Sequence, residues 1–196
     1  MGIDAKTVVE LRKMTGAGMM DAKKALEACD GDLDKAAEEL RKKGVAKAAK
    51  RADRETTEGR VYSYIHANGK VGAMVEVLSE TDFVARNEAF TEFCHDLAMH
   101  IVAADPLYLT REDVPIEVLD KEKELFAAEM KEQNKPDDVI AKIVEGKMTK
   151  YYSEVCLMEQ GFIKDEDKTI EDLLKEKIAS MGENIQIGRF ARFNIG

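Results

Sequence analysis

The chain contains no tryptophan, three prolines and three cysteines, and it lacks a long apolar run. A membrane-spanning helix needs about 20 consecutive apolar residues, so we expect no span. The cysteines, Cys29, Cys94 and Cys156, are far apart and show no C-x-x-C spacing. An odd number of scattered cysteines is typical of free thiols in a reducing compartment. Because the N-terminus also lacks the pattern of a secretory signal, we predict a cytoplasmic protein.

Basic residues are also outnumbered by acidic ones. Lys and Arg number 30 against 39 Asp and Glu, which gives a net charge of −9. Nucleic-acid-binding proteins carry basic surfaces, so we expect a protein partner and no direct nucleic-acid contact. The three histidines, His66, His95 and His100, share no metal-ligand spacing, and we expect neither a metal site nor a cofactor. With 196 residues, 44% of them hydrophobic, the chain can form one domain of ordinary size and a small appendage.

Residues 1–44 are predicted to form a three-helix bundle. The first helix would begin at Asp4 as its N-cap and end at Gly16, and the third would begin near Asp32 and end at Gly44. Apolar side chains recur at helical spacing in the second and third helices: Ala22, Ala25, Leu26 and Cys29, then Leu33, Ala36, Ala37 and Leu40. Helices this short are not stable alone, so they must pack together.

The loop before the second helix contains Gly16, Ala17 and Gly18, followed by Met19 and Met20. Glycines before a helix can form a phosphate cradle, but no Lys-Ser/Thr pair follows at P-loop spacing, which argues against nucleotide binding. Adjacent methionines cannot both face one core. Either one is exposed to a partner, for which methionine is well suited, or both are half-buried at the helix start.

A basic segment joins this module to the rest of the chain. Between positions 41 and 54 seven basic residues stand against one acid: Arg41, Lys42, Lys43, Lys47, Lys50, Arg51 and Arg54, with Asp53. We predict a solvated, partly helical tether over residues 45–58. An RNA-binding patch is the alternative, but no aromatic residue is present for stacking on bases.

Residues 59–196 are predicted to form an α+β core. Alternating apolar residues around Asn68-Gly69 predict a hairpin over 60–79 with a type I′ turn. Helical periodicity predicts a helix over 87–104, an antiparallel helical hairpin over 115–160, and a helix over 169–181. A final strand over 184–195, with a bulge near Gly188, would complete a three-stranded antiparallel sheet.

The junction between the predicted hairpin and the following helix contains Thr81, Asp82, Phe83 and Val84. Junctions of this kind often present functional side chains on a rigid scaffold. Two interpretations are open here. Phe83 fills the local core and Asp82 caps a turn, or both project outward as a wedge against a partner protein.

Two segments carry a resemblance to a known family. The sequence TDFVARN from Thr81 to Asn87, and TGAGMMDAKKAL from Thr15 to Leu26, resemble the paired signatures of the bacterial elongation factor Ts family. Their order and separation match as well, and the resemblance covers essentially the whole chain. It implies a ubiquitin-associated-like N-terminal bundle, an α+β core, and guanine-nucleotide exchange on elongation factor Tu without covalent chemistry of its own.

The resemblance also implies roles for individual residues. Phe83 would insert into the GTPase and displace its Mg²⁺, with Asp82 accepting hydrogen bonds or repelling acids there. Thr81 and Val84 would fix this wedge in place. The loop of the N-terminal bundle would dock on the GTPase through a set of seven residues: Arg12, Gly16, Ala17, Gly18, Met19, Met20 and Lys23.

The chain departs from the longer members of that family, which carry a duplicated core. Short members are expected to compensate by pairing, which implies a homodimer and a 2:2 complex with the GTPase. Two other functions compete with exchange. A helical adaptor would bind another protein through residues 1–54, whereas a small enzyme would pair Asp82 with His95 or His100. Against the enzyme alternative, the sequence shows no nucleophile, no set of metal ligands and no cofactor-binding loop to accompany these residues.

Overall fold

The computed structural model describes residues 3–133 and 135–195. It has the predicted α+β architecture, with a helical N-terminal bundle packed on a core built around a three-stranded antiparallel sheet. The helices are α1 (Ala5–Thr15), α2 (Met19–Ala28), α3 (Leu33–Ala49), α4 (Asp82–Ala85), α5 (Glu88–Ala104), α6 (Ile116–Glu132), α7 (Asp137–Val155) and α8 (Ile170–Met181). The strands are β1 (Glu58–Ile65), β2 (Val71–Ser79), β3 (Gly161–Phe162), β4 (Asp165–Thr169) and β5 (Ile185–Asn194).

The N-terminal bundle has its own small core. Asp4 is the N-cap of α1 and accepts a hydrogen bond from the Lys6 amide, while Gly16 ends the helix with φ of 65°. The side chains that close the bundle are buried and come from all three helices: Val8, Leu11, Ala22, Ala25, Leu26 and Ala36. The spacing of apolar residues in the sequence therefore identified the faces that pack.

The third helix does not end at Gly44, as the sequence suggested, but continues to Ala49. A glycine inside a helix costs about 1 kcal/mol relative to alanine. Gly44 is instead a close-packing position, since a Cβ built there would lie 3.3 Å from the Cβ of Ala179 in α8. The missing side chain allows α3 to lie directly against α8, and Arg41 adds an ion pair with Asp172 at 3.3 Å.

The segment predicted as a solvated, partly helical tether over 45–58 is helical at its start and contacts the core at two places. Residues 45–49 are helical, and Ala48 is only 4% exposed because it packs into the main core. Farther along, the side-chain amide of Asn184 donates to the carbonyls of Ala52 and Arg54 at 3.2 and 2.8 Å. The connection is thus partly helical and largely exposed, as predicted, but it is attached to the core at Ala48 and at residues 52–54 rather than solvated throughout.

The sheet has the strand order β1-β2-β5. Val75 pairs with Phe190 and Val77 with Ile187, so one residue of β2 faces two residues of β5 at Gly188, where the bulge was predicted. The hairpin turn is wider than a type I′ turn. It spans residues 66–70, and among them only Gly69 has a positive φ.

One face of the sheet packs on α5 and buries the main core, formed by Val75, Val77, Phe90, Phe93, Leu97 and Ile101 among others. Beyond α5 the chain forms the predicted helical hairpin of α6 and α7. The fixed φ of proline favours the first position of a helix, but Pro115 is the N-cap of α6. The sequence Asn134-Lys135-Pro136 predicts the break between α6 and α7, and Asn134 lies outside the described residues. In the part of the chain described here, no helix is long and apolar enough to cross a bilayer.

Residues 161–169 form a short hairpin of β3 and β4, although the charged residues from Lys164 to Lys168 predict a turn. Its second strand, with the sequence DEDKT, has no apolar alternation, and its side chains are exposed or half-buried. Such a strand leaves no periodic signal in the sequence. The spacing of Thr169 and Asp172 predicts a capping box, and Thr169 does cap α8 by accepting a hydrogen bond from the Asp172 amide at 3.1 Å.

A buried polar cluster joins the end of α5 to the base of the helical hairpin. His100 is fully buried, and its Nε2 lies 3.1 Å from Oε1 of Gln160. The amide nitrogen of Gln160 donates to the carbonyls of Ala104 and Glu154. Among the described residues, Nδ1 of His100 has no partner. Burial lowers the pKa of His100, because the imidazolium form would lose its hydration.

This lowered pKa predicts a loss of stability in mild acid. Above the ordinary histidine pKa of 6.5 the imidazole ring is neutral in both the folded and the unfolded protein. Protonation of His100 then takes nothing from the free energy of unfolding. As the pH falls below that value the unfolded chain takes up a proton first, which costs at most about 1.4 kcal/mol per pH unit. We expect urea unfolding to show a steeper decline between pH 7 and 5 in the natural protein than in His100→Gln. Equal slopes in the two proteins would contradict this assignment.

Candidate functional site

The junction after β2 folds as a single helical turn that projects from the core. Phe83, the second residue of α4, is 83% exposed. Its ring therefore does not fill the local core, and the first of the two interpretations is excluded. Two residues later, Ala85 is 5% exposed and packs into the main core, so it anchors α4 from below.

The residues around Phe83 divide between solvent and core. Asp82 forms an ion pair with Arg86, with 3.1 Å between carboxylate oxygen and guanidinium nitrogen. The N-cap of α4 is Thr81 rather than Asp82, and its hydroxyl accepts the Val84 amide at 3.4 Å. Val84 is half-buried against the main core. An exposed ring and a half-exposed, ion-paired acid are thus held by a capped turn.

Residues distant in sequence support this turn. Glu183 accepts hydrogen bonds from the amide and the hydroxyl of Thr81 at 3.1 and 2.7 Å. Ser79, which is fully buried, donates to the Thr81 carbonyl at 3.0 Å. Sequence reasoning missed Glu183, since nothing near it in the chain marks it as a neighbour of Thr81.

The loop of the N-terminal bundle presents a second exposed apolar surface. Met19 and Met20 are 47% and 63% exposed, so the alternative in which both are half-buried at a helix start does not hold. Met14, which the sequence did not single out, is 52% exposed. The turn is shaped by Gly16 in the left-handed region and by an extended Gly18 at the start of α2.

Polar contacts fix this loop at its first residue. Thr15 donates from its hydroxyl to the Leu11 carbonyl at 2.8 Å and accepts the Ala17 amide at 3.3 Å. Arg12 is exposed. Lys23 is exposed and lies 3.8 Å from Glu27 one turn along α2. The loop is therefore an ordered surface with exposed methionines, and the helices on either side of it carry the exposed cations Arg12 and Lys23.

A cavity of about 640 Å³ lies where this loop faces α3 and α8. Its lining combines apolar and charged side chains, among them Met14, Leu40, Lys47, Lys175 and Ala179. Lys47 binds Asp21 at 2.9 Å, and this contact lowers the pKa of the Asp21 carboxyl. The cavity is continuous with the loop, and both belong to the surface formed where the bundle meets α8.

Cys94 and Cys156 are buried, and His95, which the enzyme alternative would pair with Asp82, packs against aromatic rings. Burial raises the pKa of Cys94 to about 12 and that of Cys156 to about 11, so both thiols stay protonated at neutral pH. His95 packs edge-on against the rings of Tyr62 and Tyr64, with its Nδ1 3.4 Å from Asp96. Within residues 3–133 and 135–195, no cluster of three or more acidic, histidine or cysteine side chains could hold a metal.

The whole chain is similar in sequence to a known protein family. The family model described as Elongation factor TS matches residues 6–196. A protein of Geobacter sulfurreducens named Elongation factor Ts is 57% identical over 196 residues, which is 100% of this chain and 91% of that protein. Proteins of the same name from Thermosipho melanesiensis and Fervidobacterium nodosum are 55% and 53% identical, with coverage of 99% of both chains and 100% of both chains, respectively.

Proposed function

Because the chain belongs to the elongation factor Ts family, and is therefore a translation elongation factor, we propose that it promotes GDP release from elongation factor Tu. The observation that carries this proposal is the exposed Phe83 on a capped, anchored turn. A large apolar side chain that contributes nothing to its own core is available for a partner. The factor performs no covalent step, and its effect comes from binding best to the nucleotide-free GTPase.

The free energy that exchange requires is larger than one side chain can provide. Accelerating release by roughly 10⁴ requires about 5.5 kcal/mol of differential binding. Burying one phenylalanine provides about 1.5–3 kcal/mol. Phe83 therefore supplies part of the effect by displacing the loop that holds Mg²⁺, and Asp82 supplies more by accepting hydrogen bonds or repelling acids there. Once Mg²⁺ is displaced, the phosphates lose their largest counter-charge and leave more readily.

The loop of the N-terminal bundle holds the factor in place while Phe83 acts. Met19 and Met20 provide apolar contact, Arg12 and Lys23 provide charge, and the glycines Gly16 and Gly18 let the backbone approach the partner. Docking of this kind contributes affinity in both nucleotide states. By linkage, only the contacts that differ between the two states accelerate release.

The decisive experiment measures GDP release from elongation factor Tu with and without this protein. A fluorescent GDP analogue bound to the GTPase is chased with excess unlabelled GDP, and the release rate is followed as the factor concentration rises. The proposal predicts a saturable acceleration of several orders of magnitude. A release rate that does not depend on the factor would overturn it.

Mutations in the loop of the N-terminal bundle should change the half-saturating concentration of the factor and leave the maximal release rate almost unaltered. Replacing Met19 and Met20 together by alanine removes exposed apolar surface without touching the buried core, so we expect roughly a tenfold rise in the half-saturating concentration. The maximal rate should change little. Leu125→Ala, at a side chain of α6 that is 54% exposed, is the matched control. Unaltered half-saturation in the double variant would refute the docking role.

The same proposal includes a homodimer. The sheet face opposite α5 is solvent-exposed and apolar, with Val61, Ile65, Met74, Phe193 and Ile195 each between 47% and 73% exposed. Ile65 and Phe193 both lie opposite Gly72 in neighbouring strands, and Met74 lies one row away opposite Ala191, so these side chains are contiguous. A second copy would cover this face by packing sheet on sheet.

A further inference from the structure

Helix α4 is too short to fix its own orientation. It has four residues, and Thr81 is its N-cap. In a capping box, the third helical residue is Glu or Gln and accepts the N-cap amide. In α4 that position is Val84, whose side chain has no acceptor. The local sequence thus supplies only half of the usual cap.

Glu183 supplies the missing half from a distant part of the chain. Its Oε2 accepts the Thr81 amide at 3.1 Å and its Oε1 accepts the Thr81 hydroxyl at 2.7 Å, although the two residues are 102 positions apart. Both groups are partly buried. Hydrogen bonds to an ionised acceptor in such surroundings are stronger than those between neutral groups in water.

The turn that carries Glu183 is itself fixed on both sides. Gly182 ends α8 with φ of 82°, and the following Asn184 is only 2% exposed. The amide of Asn184 donates to Glu80, next to Thr81, and its side chain donates to the segment that follows α3. This turn therefore joins the residues just before α4 to the segment that connects the bundle with the core.

We propose that Glu183 is a positioning residue for nucleotide exchange: its carboxylate holds Thr81 so that α4 presents Phe83 in one orientation. The inference rests on the proposed function and adds a residue that the signature motif does not contain. Glu183 acts through Thr81 and does not itself contact the nucleotide. Without it, α4 would have to be ordered when the partner binds, which lowers the free energy available for displacing the nucleotide.

This role predicts a particular kinetic pattern. The docking loop acts in both nucleotide states, whereas Phe83 acts only as the nucleotide leaves. Loosening α4 should therefore lower the maximal release rate and leave half-saturation almost unchanged. A residue that merely stabilised the fold would instead reduce the concentration of active factor, and the maximal rate at saturation would be preserved.

The test is Glu183→Gln in the full chain, assayed for GDP release from elongation factor Tu across factor concentrations. We expect roughly a tenfold lower maximal rate, with half-saturation within about twofold of the natural protein. Glu171→Gln is the matched control, since Glu171 is also in the α8 region but is exposed and pairs with the half-buried Lys175. Amide exchange should become faster at residues 82–86 in Glu183→Gln while remaining unchanged in α5.

An unchanged maximal rate in folded Glu183→Gln, with acceleration by the natural protein intact, would overturn the inference and leave the proposed function standing. Absence of acceleration by the natural protein would overturn both. If Glu183→Gln does not fold, Glu183→Asp replaces it, because that change keeps the charge, shortens the side chain by one methylene and leaves the Thr81 cap on Val84 untouched. The same two results then decide the question.

Discussion

Phe83→Ala is expected to slow factor-stimulated GDP release by roughly 10- to 100-fold. The estimate follows from the apolar surface involved, because burying a phenylalanine against a partner provides about 1.5–3 kcal/mol and each tenfold change in rate corresponds to about 1.4 kcal/mol. The ring is 83% exposed in the free protein. Its loss should therefore leave the free energy of unfolding within about 0.5 kcal/mol of the natural value.

The measurement compares maximal release rates at saturating factor. Leu107→Ala is the matched control, since Leu107 is also a large exposed apolar side chain, 62% exposed, and lies outside α4. That variant should release GDP at the natural rate. If Phe83→Ala and Leu107→Ala behave alike, the wedge hypothesis fails even though the factor could still act by another route.

Phe193→Asp is expected to convert a dimer into a monomer. Phe193 is 67% exposed and lies among the apolar side chains of the outer sheet face. Under two-fold symmetry the substitution occurs twice in each interface. Each copy removes about 1.5–3 kcal/mol of apolar burial and adds a carboxylate that must be desolvated. The dimer dissociation constant should rise at least about 100-fold.

Light scattering after size-exclusion chromatography at micromolar concentration checks the assembly state. The natural protein should have twice the mass of its chain, and Phe193→Asp should have the mass of one chain. Leu107→Asp introduces the same charge at an exposed apolar position elsewhere and should remain dimeric. A natural protein that is monomeric at micromolar concentration would remove the dimer from the proposal.

The sequence predicted those parts of the fold that depend on short-range patterns. Apolar spacing located the helices of the bundle, and the slip in alternation before Phe190 located the bulge at Gly188. Capping residues such as Asp4 and Thr169 marked helix starts. In each case the physical cause lies within a few residues, so one segment contains the whole signal.

Features that depend on distant partners were not predictable in this way. Gly44 was expected to end α3, but its lack of a side chain serves the contact with Ala179, which is far away in the chain. Likewise the strand DEDKT pairs without apolar alternation. At the candidate site, the signature indicated Thr81 and Phe83, but the support from Glu183 required the tertiary structure.

The central position of β2 has a consequence for synthesis. The wedge follows β2, yet β2 is flanked by β5, and Thr81 is held by a residue made 102 positions later. A growing chain that has reached only α5 contains Phe83 but lacks both β5 and the Glu183 carboxylate. If Glu183 positions α4 as proposed, such a chain would not hold Phe83 in the orientation that exchange requires, so exchange activity would depend on synthesis of the last residues.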